Sequence, residues 1–67
     1  MRDDQIQDLI RRNDVRGLVD AGWVLAVARA CGVGEPAGER ARTDMGYTRA
    51  VRTARGGFRW ATAQAVD

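Results

Sequence analysis

Tyr47-Thr48-Arg49-Ala50-Val51-Arg52-Thr53-Ala54-Arg55-Gly56-Gly57-Phe58-Arg59-Trp60-Ala61-Thr62 admits two readings, and the fold depends on which one holds. Read with period two, Tyr47 to Thr53 and Phe58 to Thr62 are short strands joined by Ala54-Arg55-Gly56-Gly57. Gly-Gly supplies the positive φ angles a hairpin turn needs, and Phe58 and Trp60 then share one face with Arg59 on the other. Read with period 3.6, Tyr47, Ala50, Val51 and Ala54 form a helical stripe, and Gly56 caps its C-terminus. Aromatic content and the glycine pair favour the hairpin, whereas alanine and arginine favour the helix. The expectation leans to the hairpin. The fold class is then mainly α with a small β-hairpin, a compact winged helix-turn-helix. The alternative is an all-α bundle of three to four helices.

Upstream, helical spacing recurs. Asp3 or Asp4 is placed to cap a first helix that carries Ile6, Leu9 and Ile10 on one face. Asn13 reads as its stop and Asp14 as a fresh cap. A short second helix over Val15 to Ala21 would turn Val15, Leu18 and Val19 inward, with Gly22 as its C-terminal signal and Gly17 a cost of about 1 kcal/mol. Residues 3–21 also fit one bent helix. Trp23 to Cys31 sets Val24, Val27, Ala28 and Cys31 on a stripe ended by Gly32. Pro36 then suits the first turn of a helix running to about Met45, with Ala37, Ala41 and Met45 inward and Gly46 beyond.

Sixty-seven residues allow one domain, with an N-terminal helical segment at 1–22, a helix-turn-helix at 23–45 and the hairpin at 46–62. A core this small is marginal, and small scaffolds lean on disulfides, metals or partner chains. Cys31 is the only cysteine and histidine is absent, so neither an intrachain disulfide nor a four-ligand zinc site is available. That leaves self-association, as a homodimer or repeated array, or a partner chain as the expected reinforcement. Cys31 itself, on an apolar stripe, reads as a small hydrophobe, and Trp23 and Trp60 read as core. The cysteine usage and the lack of a signal-peptide pattern suit a cytoplasmic protein.

All eleven basic residues are arginine, and their placement is uneven. Met1 to Asp20 holds four arginines against five aspartates, whereas Arg40 to Trp60 holds six against Asp44 alone. Such asymmetry directs the C-terminal half toward an anion. Catalysis finds little support: histidine and serine are absent, and no carboxylate pair has the apolar setting that raises a catalytic pKa. No enzyme activity, cofactor or metal is expected.

Ala28, then Gly32 four residues later, then Val33, resembles the helix-turn-helix of DNA-binding regulators. There a small residue lets two helices cross, a glycine takes the left-handed turn and an apolar residue plugs the space beneath. Two positions depart from that pattern: Gly34 stands where Ser or Thr caps the second helix, and Gly38 where a β-branched residue points inward. Met45-Gly46-Tyr47, the arginine-rich stretch, Gly56-Gly57 and Phe58-Arg59-Trp60 are similar to the wing of winged-helix proteins. The compact spacing and the Ala-Thr-Ala-Gln-Ala-Val tail are most similar to the excisionase and MerR-like subgroup, over residues 23–66.

The resemblance implies a recognition helix from Glu35 to Met45 and a wing from Tyr47 to Thr62. Glu35, Glu39, Arg40 and Thr43 would face outward from the helix. It implies double-stranded DNA as partner, contacted by Arg40, Arg42 and Thr43 on the helix and by Arg49, Arg52, Arg55 and Arg59 on the wing. The function implied is a transcription regulator or an excisionase-like architectural protein. The rival is a helical protein-interaction module, such as a phage-encoded inhibitor or antitoxin-like adaptor, whose arginines bind an acidic protein surface. A small structural subunit of a phage particle is a third reading.

Overall fold

In a computed structural model of the protein, residues 2–65 are described, so Val66 at the end of the resembling segment lies outside them. The chain is mainly α with a small, unclosed three-stranded sheet. Its elements run α1 (Arg2–Arg12), β1 (Leu18–Asp20), α2 (Ala21–Ala30), α3 (Glu35–Asp44), β2 (Arg49–Arg52) and β3 (Phe58–Ala61). The strands lie in the order β1-β3-β2, all antiparallel. This element and strand order is compatible with a winged helix-turn-helix. No helix among the described residues is long and apolar enough to cross a membrane.

The 47–62 stretch is a hairpin, as period two predicts. Arg49, Ala50, Val51 and Arg52 pair with Ala61, Trp60, Arg59 and Phe58 in turn. At the tip, Thr53 N–H donates to the Gly57 carbonyl at 3.0 Å and Gly56 N–H to the Thr53 carbonyl at 3.2 Å. Of the two turn glycines only Gly56 adopts a positive φ, +88°, a conformation costly for any residue with a Cβ.

Residues 15–21 correct the expectation of a second short helix. Val15 and Leu18 exchange two backbone hydrogen bonds, at 2.9 and 3.0 Å, across a turn whose central residues Arg16 and Gly17 both have positive φ (58° and 85°). This is the two-residue turn that reverses a chain between extended segments. The i, i+3, i+4 spacing of Val15, Leu18 and Val19 was therefore misleading. Leu18 and Val19 are consecutive strand residues buried on opposite faces of β1, and Val15 is exposed. Nor does Gly17 weaken a helix: a Cβ there would sit 2.8 Å from Thr62 Oγ1 and 3.0 Å from the Ala65 backbone. Gly22 falls inside α2 and does not end a helix. That helix is capped by Asp20, whose carboxylate accepts from Trp23 N–H at 3.1 Å. Asn13 and Asp14 do end α1, and their side chains then accept from Asp20 N–H and Gly17 N–H, both at 2.8 Å. α1 begins at Arg2, so Asp4 lies in its first turn and not ahead of it.

α2 and α3 end in the same way. Gly32 at φ +71° donates to the Arg29 carbonyl, and Val33 N–H reaches back to Ala28. Gly46 at φ +90° donates to Thr43, and Tyr47 N–H reaches back to Arg42. Both are Schellman caps, which satisfy otherwise orphaned carbonyls while reversing the chain. At its other end α3 starts on Gly34, which offers no side-chain cap. Ile6, Ile10, Val19, Val24, Val27, Ala41 and Tyr47 form the core between the three helices and one sheet face. Half-buried Cys31 packs against that core. The expectation for tryptophan divides. Trp60 packs on the core, whereas Trp23 is 37% exposed and donates its indole N–H to the Leu9 carbonyl at 2.7 Å.

Candidate nucleic-acid interface

A helix presents a usable face only where its other side is held, and α3 is held chiefly through Gly38, Ala41 and Arg42. Gly38 meets α2 at closest approach: a Cβ on it would stand 2.9 Å from Ala28 Cβ and 3.4 Å from the Val24 carbonyl oxygen. The departure at position 38 is thus the second half of a small-on-small crossing, with Ala28 fully buried opposite. Pro36, Arg40 and Thr43, at i, i+4 and i+7, are left exposed as one stripe. Thr43 Oγ1 donates to the Glu39 carbonyl at 2.8 Å, which fixes its hydroxyl against the helix.

Arg42 is turned inward, contrary to its expected place among the contacting arginines. Only 8% exposed, it stacks its guanidinium over the Trp60 ring at 3.6 Å from the centroid. Its Nη1 donates to the Tyr47 carbonyl at 2.5 Å, and Nε and Nη2 both donate to Glu39 Oε2. The position follows from geometry: Arg42 lies one residue past inward Ala41 and one turn past inward Gly38. Arginine count alone could not reveal this, although its i+3 relation to Glu39 was a signal.

The same bonds change the reading of α3's glutamates. Glu39 neutralises Arg42, and Glu35 meets Arg29 of α2 at 3.4 Å. Neither carboxylate is an unpaired negative charge on the outward stripe. Asp44 is exposed and lines a small pocket with Arg40.

The hairpin register sorts the remaining arginines. Directly paired residues share a face, so Arg52 lies with Ala50, Phe58, Trp60 and Val19 on the side that carries the helices. Arg49 and Arg59 lie on the opposite side with Leu18, Val51 and Asp20, and Arg59 pairs in register with Asp20. Arg55 stands in the turn at the tip. All four are exposed, but they do not form one surface. Arg40 and Thr43 are thus exposed on α3, Arg52 on the helix-facing side of the hairpin and Arg55 at its tip.

Tyr47 fastens this assembly to the N-terminal turn. Its hydroxyl donates to Asp14 Oδ2 at 2.5 Å, and Asp14 also holds Gly17 N–H. Burial, then the hydrogen bond to Asp14 and the charge of that carboxylate, push the phenol from 10.0 up to about 12, with Arg11 opposing weakly. A group whose pKa is raised on folding adds stability that is complete below its unfolded value and is lost as pH climbs toward the folded one. Stability should therefore fall between pH 10 and about 12, by about 2–3 kcal/mol in all. Tyr47 is the only tyrosine, so tyrosinate absorbance reports it directly. Chemical denaturation along that pH range should show the fall, and Tyr47→Phe should abolish it. An unchanged profile in the variant would assign the fall to another group.

Among the described residues no group of three or more Cys, Asp and Glu side chains is arranged to hold a metal ion. Comparison with known proteins finds no family model, curated protein or solved structure that matches this chain.

Proposed function

We propose that the protein binds double-stranded DNA as a winged helix-turn-helix, with α3 in the major groove and the β2–β3 hairpin as the wing. The observation that carries this reading is the exposed Pro36–Arg40–Thr43 stripe on a helix whose two glutamates are both paired with arginines. Arg40 then reads a base edge, a guanine O6/N7 pair being the natural match for a guanidinium, and Thr43 lies against a thymine methyl or a phosphate. Arg52 and Arg55 contact the backbone or the minor groove, and Arg49 and Arg59 add longer-range attraction from the far side of the hairpin. The spacing of the sequence is similar to that of the excisionase and MerR-like subgroup of winged proteins, which makes a transcription regulator or an architectural DNA-bending protein the concrete form of the proposal.

Self-association belongs to the same reading. Leu9, Trp23, Ala26, Val27 and Ala30 line an uncharged groove of about 190 Å³ between α1 and α2, with no arginine among its lining residues. A second copy seated there would leave both sets of arginines free for DNA, as a homodimer on paired half-sites requires. The competing reading, in which the arginines grip an acidic protein surface, calls on the same side chains.

Substitution separates the roles. Arg52→Ala and Arg55→Ala should each weaken binding to all duplex sequences alike and lower the salt slope by about 0.9. Arg40→Ala should cost about 1–3 kcal/mol at one base position and relax preference there. Fluorescence anisotropy on a panel of single-base variants measures both. A uniform loss for Arg40→Ala would mean that α3 does not read bases.

A further inference from the structure

Three large hydrophobic side chains are exposed among the described residues: Val15, Trp23 and Phe58. Val15 flanks a tight turn, and the Trp23 indole is tied to the Leu9 carbonyl. Phe58 differs from both. It is 42% exposed at the start of β3, pairs in register with Arg52, and lies near the Arg55 turn. With Ala50, Arg52, Gly56, Gly57 and Trp60 it lines an open groove of about 450 Å³ on the helix-facing side of the hairpin. An apolar ring held out beside Arg52, next to the turn that carries Arg55, suits a polyanion that also offers an apolar stack, since water alone would favour burying it.

The ring is also braced from behind. Phe58 meets Trp60 edge-to-face, with centroids 5.2 Å apart and planes at 82°. Trp60 is stacked under the Arg42 guanidinium, and Arg42 is bonded to Glu39 of α3 and to the Tyr47 carbonyl. A continuous line of contacts thus runs from the exposed ring to the helix bearing Arg40. Such bracing lets a side chain press on a partner without folding back.

Resting on the DNA reading above, we propose that Phe58 is a wedge: it enters the minor groove and partly unstacks one base step, while Arg52 and Arg55 hold the flanking phosphates. The duplex is thereby kinked. Apolar wedges act in this way where arginines draw the groove close, and pyrimidine–purine steps yield most readily. The cationic surroundings of the ring favour this occupant over a second copy of the chain, which carries the same arginines.

The test is energy transfer between dyes on the two ends of a mixed-sequence duplex with one central TA step, titrated with the full chain. The wild-type protein should bring the ends closer, and less so when an A-tract replaces the TA step. Phe58→Ala should bind about tenfold more weakly and leave the duplex straight, whereas Phe58→Leu should retain the kink. Arg52→Ala should weaken binding yet kink whatever duplex it holds. Circular dichroism of each variant checks its fold, and if Phe58→Ala fails to fold, Phe58→Gln, which keeps bulk at this exposed position but is polar, should lose the kink in its place. A wild-type complex with straight DNA, or an undiminished kink with Phe58→Ala, overturns the wedge and leaves DNA binding standing. If Phe58→Ala instead lowers the sedimenting mass of the free protein and spares the kink, the ring is a contact between copies and the wedge is wrong. Absence of any DNA binding by the wild type overturns both proposals.

Discussion

Gly38→Val should destabilise the protein by about 3 kcal/mol, a large part of what a domain of this size possesses. The reason is the α2–α3 crossing. Even a bare Cβ at position 38 would come within 2.9 Å of Ala28 Cβ, and the next neighbour is the Val24 backbone carbonyl, which belongs to a helix and yields little. Two branches beyond that Cβ force the helices apart and loosen the contacts of Val24 and Ala41 in the core. Gly38→Ala is the sharper test because two principles predict opposite signs. Helix propensity alone favours alanine over glycine by about 1 kcal/mol. Packing at 2.9 Å opposes it, so the variant should be neutral or destabilised. Adding Ala28→Gly should restore part of the loss, and a double-mutant cycle by urea denaturation measures the coupling. A stabilised Gly38→Ala with no coupling to position 28 would show that the helices do not cross there.

Arg42→Ala should cost about 2–3 kcal/mol, more than an ordinary surface arginine, whose ion pairs are worth little. Three contacts go at once: the stack on Trp60, the bond to the Tyr47 carbonyl and the pair with Glu39. Loss of the cation over an aromatic face accounts for about 1–2 kcal/mol, and the carbonyl left in a buried setting for about 1–2 more. Glu39, partly exposed, regains water and limits the damage. Arg42→Met keeps much of the packing and should recover about half of the loss. Denaturation midpoints measure the stability, and tryptophan emission should change because Trp60 loses its cover. If Arg42→Ala is as stable as the wild type, the guanidinium is not seated on Trp60.

Arg42 also shows where sequence reading reaches its limit. Its charge placed it in the arginine cluster from Arg40 to Arg59, but the phase of α3 decides that it faces inward, and that phase depends on Gly38 meeting Ala28. Gly38 read as a defect because it was judged against a general pattern and not against its partner. At residues 15–21 the failure was of period: three apolar residues at i, i+3 and i+4 fit a helix, yet Arg16-Gly17 carried the turn signal that separates Val15 from Leu18 and Val19. Gly22 was misread for the same reason, as the end of a helix that does not exist. The hairpin at 47–62 was legible because Gly56-Gly57, Phe58 and Trp60 all pointed the same way. Ala28, Gly32 and Val33 were legible because a left-handed cap needs a glycine at one place only. The distribution of arginines over two hairpin faces could be read only in part, since it requires the register as well as the alternation.

In the proposed complex the exposed arginines of the hairpin meet the phosphates of duplex DNA while Arg40 of α3 reads a base edge. The phosphate contact is tested most directly by titrating the wild-type protein against mixed-sequence duplex over rising salt, starting near 50 mM where phosphate contacts are strongest. Binding should be measurable there, and a plot of log Kobs against log salt should have a slope of about −2 to −4, as two to four phosphate contacts give. No binding at the lowest salt, or binding insensitive to salt, would contradict it.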